Sequence, residues 1–114
     1  MSRTSRYDEL VQRLRQGVLD TPGESASALR LAVLERGKHP GGGSAARDAL
    51  PAALASYVDK VARHAYKVTD AEVESLQASH SDDALFELTV AATVGAALHR
   101  LERGMAALRG EESD

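Results

Sequence analysis

Apolar residues recur at intervals of three and four positions along most of this 114-residue chain, which is the spacing of amphipathic helices. The first such stretch begins at Ser5, whose hydroxyl can cap a helix, and ends at Leu19, just before a Thr-Pro-Gly break. A second stretch covers residues 24–36, with Gly37 as its expected stop. The pattern therefore predicts two helices in the first third of the chain.

Three further helices are predicted in the second half. Pro51 suits the first turn of a third helix that extends to about Tyr66. Residues 69–72, Thr-Asp-Ala-Glu, have the form of a capping box and open a short fourth helix. Ser81 caps the fifth and longest helix, which ends at about Leu108. Because no stretch alternates convincingly with period two, the expected fold is all-α: a multihelical bundle of five helices with a long carboxyl-terminal core helix.

The long helix is the most informative element. The 11 residues from Leu88 to Leu98 carry no charge and are crowded with alanine, so we expect them to be buried. The small residues Ala92, Gly95 and Ala96 permit another helix to approach closely. The uncharged run is shorter than the roughly 20 residues of a membrane-spanning helix, so we expect a cytoplasmic protein with no membrane contact.

Two segments are predicted to be irregular within a single domain of residues 1–114. Residues 37–49 contain a proline followed by three glycines and have no large apolar side chain, which predicts a flexible loop. A phosphate-binding loop would need Gly-Lys-Ser/Thr after a strand, and no strand precedes this segment. Residues 110–114 form a short acidic end that we expect to be disordered.

Composition narrows the functional classes. The net charge of -3 argues against nucleic acid as a partner, because phosphate binding needs a basic face. The chain has no cysteine, which excludes disulfides and thiolate chemistry by its own residues. It also has no tryptophan and few other aromatic residues, so the core is expected to consist of Leu, Val and Ala.

Two side chains are candidates for acid–base chemistry, each with a structural alternative. His64 could act as a general acid or base near neutral pH, or it could be a partly exposed histidine at a helix end. Glu87 lies among apolar residues, where burial would raise the pKa of its carboxyl group. Alternatively, Glu87 pairs with a basic residue of a neighbouring helix or subunit.

The remaining histidines do not suggest a metal site. His99 has Glu102 three residues further on, and a surface pair between them explains it. The four histidines show no spacing typical of metal ligands, so we predict no metal and no cofactor.

Several short motifs in the second half of the chain resemble a known family. The matching segments are Tyr57-Val58-x-Lys60-Val61, Ala65-Tyr66-x-Val68-Thr69-Asp70, Asp83-Ala84-Leu85-Phe86-Glu87, Ala91-Ala92-x-x-Gly95-Ala96 and Arg100-Leu101. Over about residues 50–108 the chain is similar to the carboxymuconolactone decarboxylase / AhpD-like superfamily. The resemblance implies an all-α fold and assembly into homotrimers or homohexamers.

The redox motif of the AhpD branch, a Cys-x-x-Cys followed by His, is missing here. Aligned without gaps from Phe86, the two cysteines fall on His64 and Lys67. Aligned on the histidine instead, they fall on Tyr57 and Lys60, and His64 is kept as the motif histidine. We prefer the first alignment. Neither alignment retains a cysteine, so thiol peroxidase activity is excluded.

The sequence leaves three functional hypotheses. The preferred one is a Cys-less AhpD-like homo-oligomer that binds a small molecule or has a structural role. The second is a cofactor-free, decarboxylase-type enzyme that uses Glu87 and His64 on a small carboxylated substrate. The third is a helical module that receives a helix of a partner protein.

Overall fold

The computed structural model describes residues 3–20, 22–40 and 50–110 of the chain, and every regular element in these ranges is helical. The helices are α1 (Arg3–Leu19), α2 (Ser27–Lys38), α3 (Ala52–His64), α4 (Asp70–Gln77) and α5 (Asp82–Leu108). A 3₁₀ turn, Ala65–Lys67, follows α3. The predicted all-α fold with five helices and a long carboxyl-terminal helix is confirmed.

The first two helices differ from the prediction at their ends. Helix α1 already includes Arg3, so Ser5 lies inside its first turn, and the prediction that Ser5 is the cap is wrong. Helix α2 begins at Ser27, three residues later than predicted, because the main-chain N–H groups of residues 24 and 25 bind a side chain of α5. The prediction that Gly37 ends α2 is also wrong, since the helix continues to Lys38.

The predicted irregular segments fall largely outside the described ranges. Of the loop predicted over residues 37–49, residues 41–49 lie there, as do residues 111–114 of the predicted tail. Gly110, the first residue of that tail, has a φ of 74°, a left-handed conformation that glycine adopts without strain.

Pro51 precedes the third helix instead of lying in its first turn, and the helix ends at His64, two residues before the predicted end. The predicted starts of the fourth and fifth helices are confirmed. The Thr69 hydroxyl accepts a hydrogen bond from the Glu72 N–H at 3.2 Å, and the Glu72 carboxylate accepts one from the Thr69 N–H at 3.1 Å. The Ser81 hydroxyl accepts from the Ala84 N–H at 3.1 Å. These bonds satisfy N–H groups that have no partner within the helix, which fixes where α4 and α5 begin.

Helix α5 forms the centre of the bundle, and α2 packs most closely against it. A Cβ atom at Gly37 would lie 2.5 Å from the Ala92 carbonyl oxygen, and one at Gly95 would overlap the Leu34 carbonyl oxygen. The two glycines therefore allow the backbones of α2 and α5 to touch. This contact is the close helix packing that the small residues of α5 predicted.

Helices α2 and α3 both run parallel to α5. Glu87, near the start of α5, contacts the residues before α2, and Glu102 further along binds Lys38 at its end. On α3, the Tyr57 hydroxyl is 2.7 Å from that of Thr89, while the Ala62 carbonyl accepts from Arg100. The carboxyl ends of α2 and α3 consequently meet beside the second half of α5.

The core between these helices is aliphatic, as predicted. The buried apolar residues are all Leu, Val or Ala, and the largest of those with almost no exposure are Leu34, Leu54, Leu88, Leu98, Val33 and Val58. An ion pair links α2 to α3 at the edge of this core. The Arg36 guanidinium donates to both Asp59 carboxylate oxygens at 2.7 Å, and this partner raises the pKa of Arg36.

Helix α5 is long and apolar enough to cross a membrane by length and composition alone, the only such helix in the part of the chain that the structure describes. Within the bundle 44% of its apolar window is buried. A central helix of a compact helical bundle has the same properties, and α5 occupies that position here.

Candidate functional site

An open apolar groove lies between α1 and α5. It has a volume of about 400 Å³, which is within the ~300–1,000 Å³ range of small-molecule sites. The apolar side chains that line it are Leu14, Val18, Pro22, Phe86, Val90 and Val94. Phe86 is 70% exposed and Val90 is 39% exposed, so this part of α5 presents apolar surface that α1 does not cover. Three charged residues, Arg13, Arg30 and Glu87, complete the lining.

Glu87 closes one end of the groove by binding the segment that leads into α2. Its carboxylate accepts hydrogen bonds from the Glu24 N–H at 2.8 Å, the Ser25 N–H at 2.8 Å and the Ser25 hydroxyl at 2.5 Å. The Arg30 guanidinium lies 3.5 Å away. Gly23 contacts the same carboxylate so closely that a Cβ atom there would lie 2.6 Å from its Cδ atom. The carboxylate therefore holds residues 23–25 against α5.

These bonds shift the pKa of Glu87 in the direction opposite to the one we expected. We expected burial to raise its pKa, but the Ser25 hydroxyl, with the Ser25 and Glu24 N–H groups and Arg30, lowers the pKa of Glu87 to about 2. The expectation of a raised pKa is wrong because hydrogen bonds to the ionised form outweigh the desolvation of a side chain that remains 24% exposed. A carboxylate with this pKa is a weak base near neutral pH.

Arg30 of α2 is the buried cation beside Glu87. Its guanidinium also caps the carboxyl end of α1. Arg30 is 5% exposed. Its guanidinium donates to the carbonyl oxygens of Val18 at 2.8 Å, Leu19 at 3.2 Å and Ser25 at 2.6 Å. Val18 and Leu19 form the last turn of α1, where carbonyl groups lack partners in the helix. Arg30 thus joins α1, α2 and the Glu87 segment at one point.

His64 lies elsewhere. It is the last residue of α3, exposed, with its ring centroid 5.8 Å from that of Tyr66. It lines a second cavity that also contains His99 and Arg100. His99 is 12 residues after Glu87 on α5, a distance of roughly 18 Å at the helical rise. The structure does not bring His64 and Glu87 into one pocket, although the enzyme hypothesis requires that.

His99 does not form the predicted surface pair with Glu102. The Glu102 carboxylate instead binds the Lys38 ammonium group at 3.0 Å, and the His99 ring packs edge-on against His39 with the centroids 6.0 Å apart. The prediction failed because the end of α2 supplies both partners, and sequence spacing along α5 contains no information about α2.

Sequence reasoning missed two residues that shape the groove, Arg13 and Arg30. Arg30 left a usable signal, since it is the only charge among the apolar residues 28–34. A long cationic side chain at such a position usually has a dedicated partner. Arg13 left only a weak signal: it is one of four arginines of α1, which are interleaved with Asp8 and Glu9 and are typical of a solvated surface.

In the described part of the chain, no three His, Asp or Glu side chains lie close enough together to hold a metal ion. One buried donor, Nη1 of Arg36, has no hydrogen-bond partner, although the rest of that guanidinium binds Asp59.

Comparison with known proteins gives no assignment. No protein-family model, no curated protein and no solved structure matches the chain.

Proposed function

We propose that this chain is a helical binding protein for small, largely apolar carboxylates, related to the AhpD-like proteins but without their thiol chemistry. The groove between α1 and α5 is the binding site in this proposal. The observation that carries it is the exposed apolar lining around Val90 beside an arginine, Arg13. The family relationship rests on the motifs of residues 57–101, and the helical bundle with a long last helix is compatible with it.

The two arginines of the groove have different roles in this proposal. Arg30 is committed to carbonyl oxygens and to Glu87, so it stabilises the wall of the groove. Arg13 lies on the exposed side of α1, where its guanidinium can bind the carboxylate of a ligand whose apolar part contacts Leu14 and Val90.

The geometry does not favour turnover by Glu87. Its carboxylate oxygens already accept three hydrogen bonds, and its low pKa makes it a poor proton acceptor. A binding role without catalysis needs neither a free carboxylate nor a histidine in the same pocket. We therefore prefer binding to the decarboxylase hypothesis.

Titration calorimetry with decanoate and decanol tests this function. The wild-type protein should bind both, because each has an apolar chain that can leave water in the groove. Leu14→Glu should weaken the binding of both compounds by about tenfold or more, since it places a charge in the apolar lining. Leu31→Glu is the matched control: Leu31 is 39% exposed, Leu14 is 36% exposed, and Leu31 does not line the groove.

Arg13→Gln separates recognition of the carboxylate from burial of the chain. This substitution should weaken the binding of decanoate by about tenfold and leave the binding of decanol unchanged, because only decanoate loses a charge-assisted hydrogen bond. Equal losses in Leu14→Glu and Leu31→Glu, or no binding of either compound to the wild-type protein, would contradict the proposed function.

A further inference from the structure

A second cavity lies at the opposite end of the bundle from Glu87. The carboxyl ends of α2 and α3 converge there on the second half of α5. Its volume is about 350 Å³, again within the ~300–1,000 Å³ range of small-molecule sites. Helix α2 contributes Gly37 to the lining, α3 contributes Ala62, and α5 contributes Ala96. The cavity is therefore bordered by three different helices.

The cavity is basic in a protein whose net charge is -3. Four of its lining residues are Arg63, His64, His99 and Arg100, and none of the lining residues in the described part of the chain is acidic. Glu102, three residues after His99 on α5, is paired with Lys38 at 3.0 Å. The His39 ring packs edge-on against His99, with the centroids 6.0 Å apart, just beyond the lining.

The negative carboxyl ends of α2 and α3 account for only part of the positive charge that lines the cavity. Each helix carries about half a negative charge at its carboxyl end, so α2 and α3 together supply roughly one negative charge. The two guanidinium groups alone exceed that charge. Moreover, His99 and Arg100 belong to the interior of α5, more than two turns before it ends at Leu108, and its own carboxyl end does not account for them.

Each of the two guanidinium groups, on side chains that are exposed, donates one hydrogen bond to the main chain. Arg63 donates through Nη2 to the Pro40 carbonyl oxygen at 2.9 Å, and Arg100 donates through Nη2 to the Ala62 carbonyl oxygen at 3.2 Å. A guanidinium group has five N–H donors, so one main-chain bond orients the side chain and still leaves donors to present to a ligand. Such preorganisation reduces the entropy lost when a ligand binds.

From this arrangement we infer that the cavity between the ends of α2, α3 and α5 is a binding site for a small polyvalent anion. Arg63 and Arg100 are the main ligands, and the His64 and His99 rings supply further donors from the two sides. Phosphate-bearing and polycarboxylate molecules share this chemistry. The site is separate from the apolar groove and does not depend on the function proposed for it.

Titration calorimetry of the full chain with pyrophosphate and with citrate tests the site. We expect binding of at least one of them at low ionic strength and a weaker affinity as sodium chloride is added, because salt screens exposed charges. Binding of pyrophosphate alone identifies a phosphate site, and binding of citrate alone identifies a polycarboxylate site. Absence of binding for both at low salt would overturn the inference.

Variants locate the binding. Arg100→Gln and Arg63→Gln should each reduce the affinity by about tenfold, the effect of losing one charge-assisted hydrogen bond. Arg103→Gln is the matched control, because Arg103 is exposed on the same helix, does not line the cavity and removes the same charge. Circular dichroism confirms that each variant is folded. If Arg103→Gln weakens binding as much as Arg100→Gln, the attraction is diffuse and the assigned site is wrong.

Discussion

Glu87 has a structural role. It pairs with Arg30 of the neighbouring helix α2 at 3.5 Å, which confirms the structural alternative predicted for it. Its carboxylate binds two main-chain N–H groups and one hydroxyl of residues 24 and 25. These bonds favour the ionised form, which is why the pKa of Glu87 is lowered to about 2. At the scale of the residue, Glu87 is therefore best understood as the group that fixes the entry to α2.

The lowered pKa gives a dependence of stability on pH with a defined sign. A carboxyl group whose pKa is lower in the folded state stabilises the fold above its unfolded pKa, and this contribution is lost as pH falls towards the folded pKa. For Glu87 the window extends from its ordinary value of 4.5 down to about 2. The pKa of Glu72, lowered by its bond to Lys60, adds a contribution of the same sign.

Glu87→Gln should therefore be less stable than the wild-type protein at neutral pH, because the amide replaces one acceptor oxygen with a donor. The difference between them should shrink as pH falls below about 4.5. Urea unfolding followed by circular dichroism at several pH values measures this. Glu74→Gln, an exposed change on α4, should show no such convergence. A difference between Glu87→Gln and the wild-type protein that is constant over this pH range would contradict the assignment.

At the scale of the element, the contact between α2 and α5 depends on Gly95 in the interior of α5 and on Gly37 in the last turn of α2. Glycine usually destabilises a helix interior by roughly 0.5–1 kcal/mol relative to alanine. Gly95 and Gly37 lie where the facing backbone leaves no space for a Cβ atom. Gly104, also in α5, has no atom within 4 Å of a Cβ position, so only the ordinary helical preference applies there.

The two glycines of α5 should respond to alanine in opposite directions. Gly95→Ala should destabilise the protein by about 2 kcal/mol or more, because the new Cβ atom overlaps the Leu34 carbonyl oxygen and the helices must separate. Gly104→Ala should stabilise it by about 0.5–1 kcal/mol. Urea unfolding gives both values. A neutral or stabilising Gly95→Ala would show that the helices are not in contact at this point.

At the scale of the whole molecule, the apolar surface of the groove bears on assembly. The exposed apolar residues of α1 and α5 are Leu10, Leu14, Phe86, Val90 and Leu108. The resemblance to the AhpD-like superfamily implies trimers or hexamers, and we propose that this chain also self-associates through the face around Phe86. The ligand groove would then lie at the interface between subunits.

Light scattering should give three or six times the monomer mass of 12.1 kDa. Phe86→Glu should shift the protein towards the monomer, because it places a charge on the proposed interface. Tyr66→Glu is the control, since Tyr66 is a similarly exposed aromatic residue, at 81%, and does not line the groove. A wild-type monomer would contradict the assembly and would favour the alternative that this face receives a helix of another protein.

The sequence by itself determined the helices and the character of the core. The three- and four-residue spacing of apolar positions and the caps at Thr69 and Ser81 are local signals, so five helices, two of their starts and an aliphatic core followed from them. The small residues around Gly95 likewise predicted close packing, because a missing side chain matters only where another backbone approaches.

Only the tertiary structure decided which distant groups meet. It placed Ser25 on Glu87, Arg30 on the end of α1 and Lys38 on Glu102. The pKa of Glu87 depends on hydrogen bonds and charges within a few ångströms, and the partners that supply them are up to 63 residues away in the chain. For the same reason the sequence did not reveal whether His64 and Glu87 share a pocket, as the decarboxylase hypothesis requires. The parallel packing of α3 against α5 places them in different cavities.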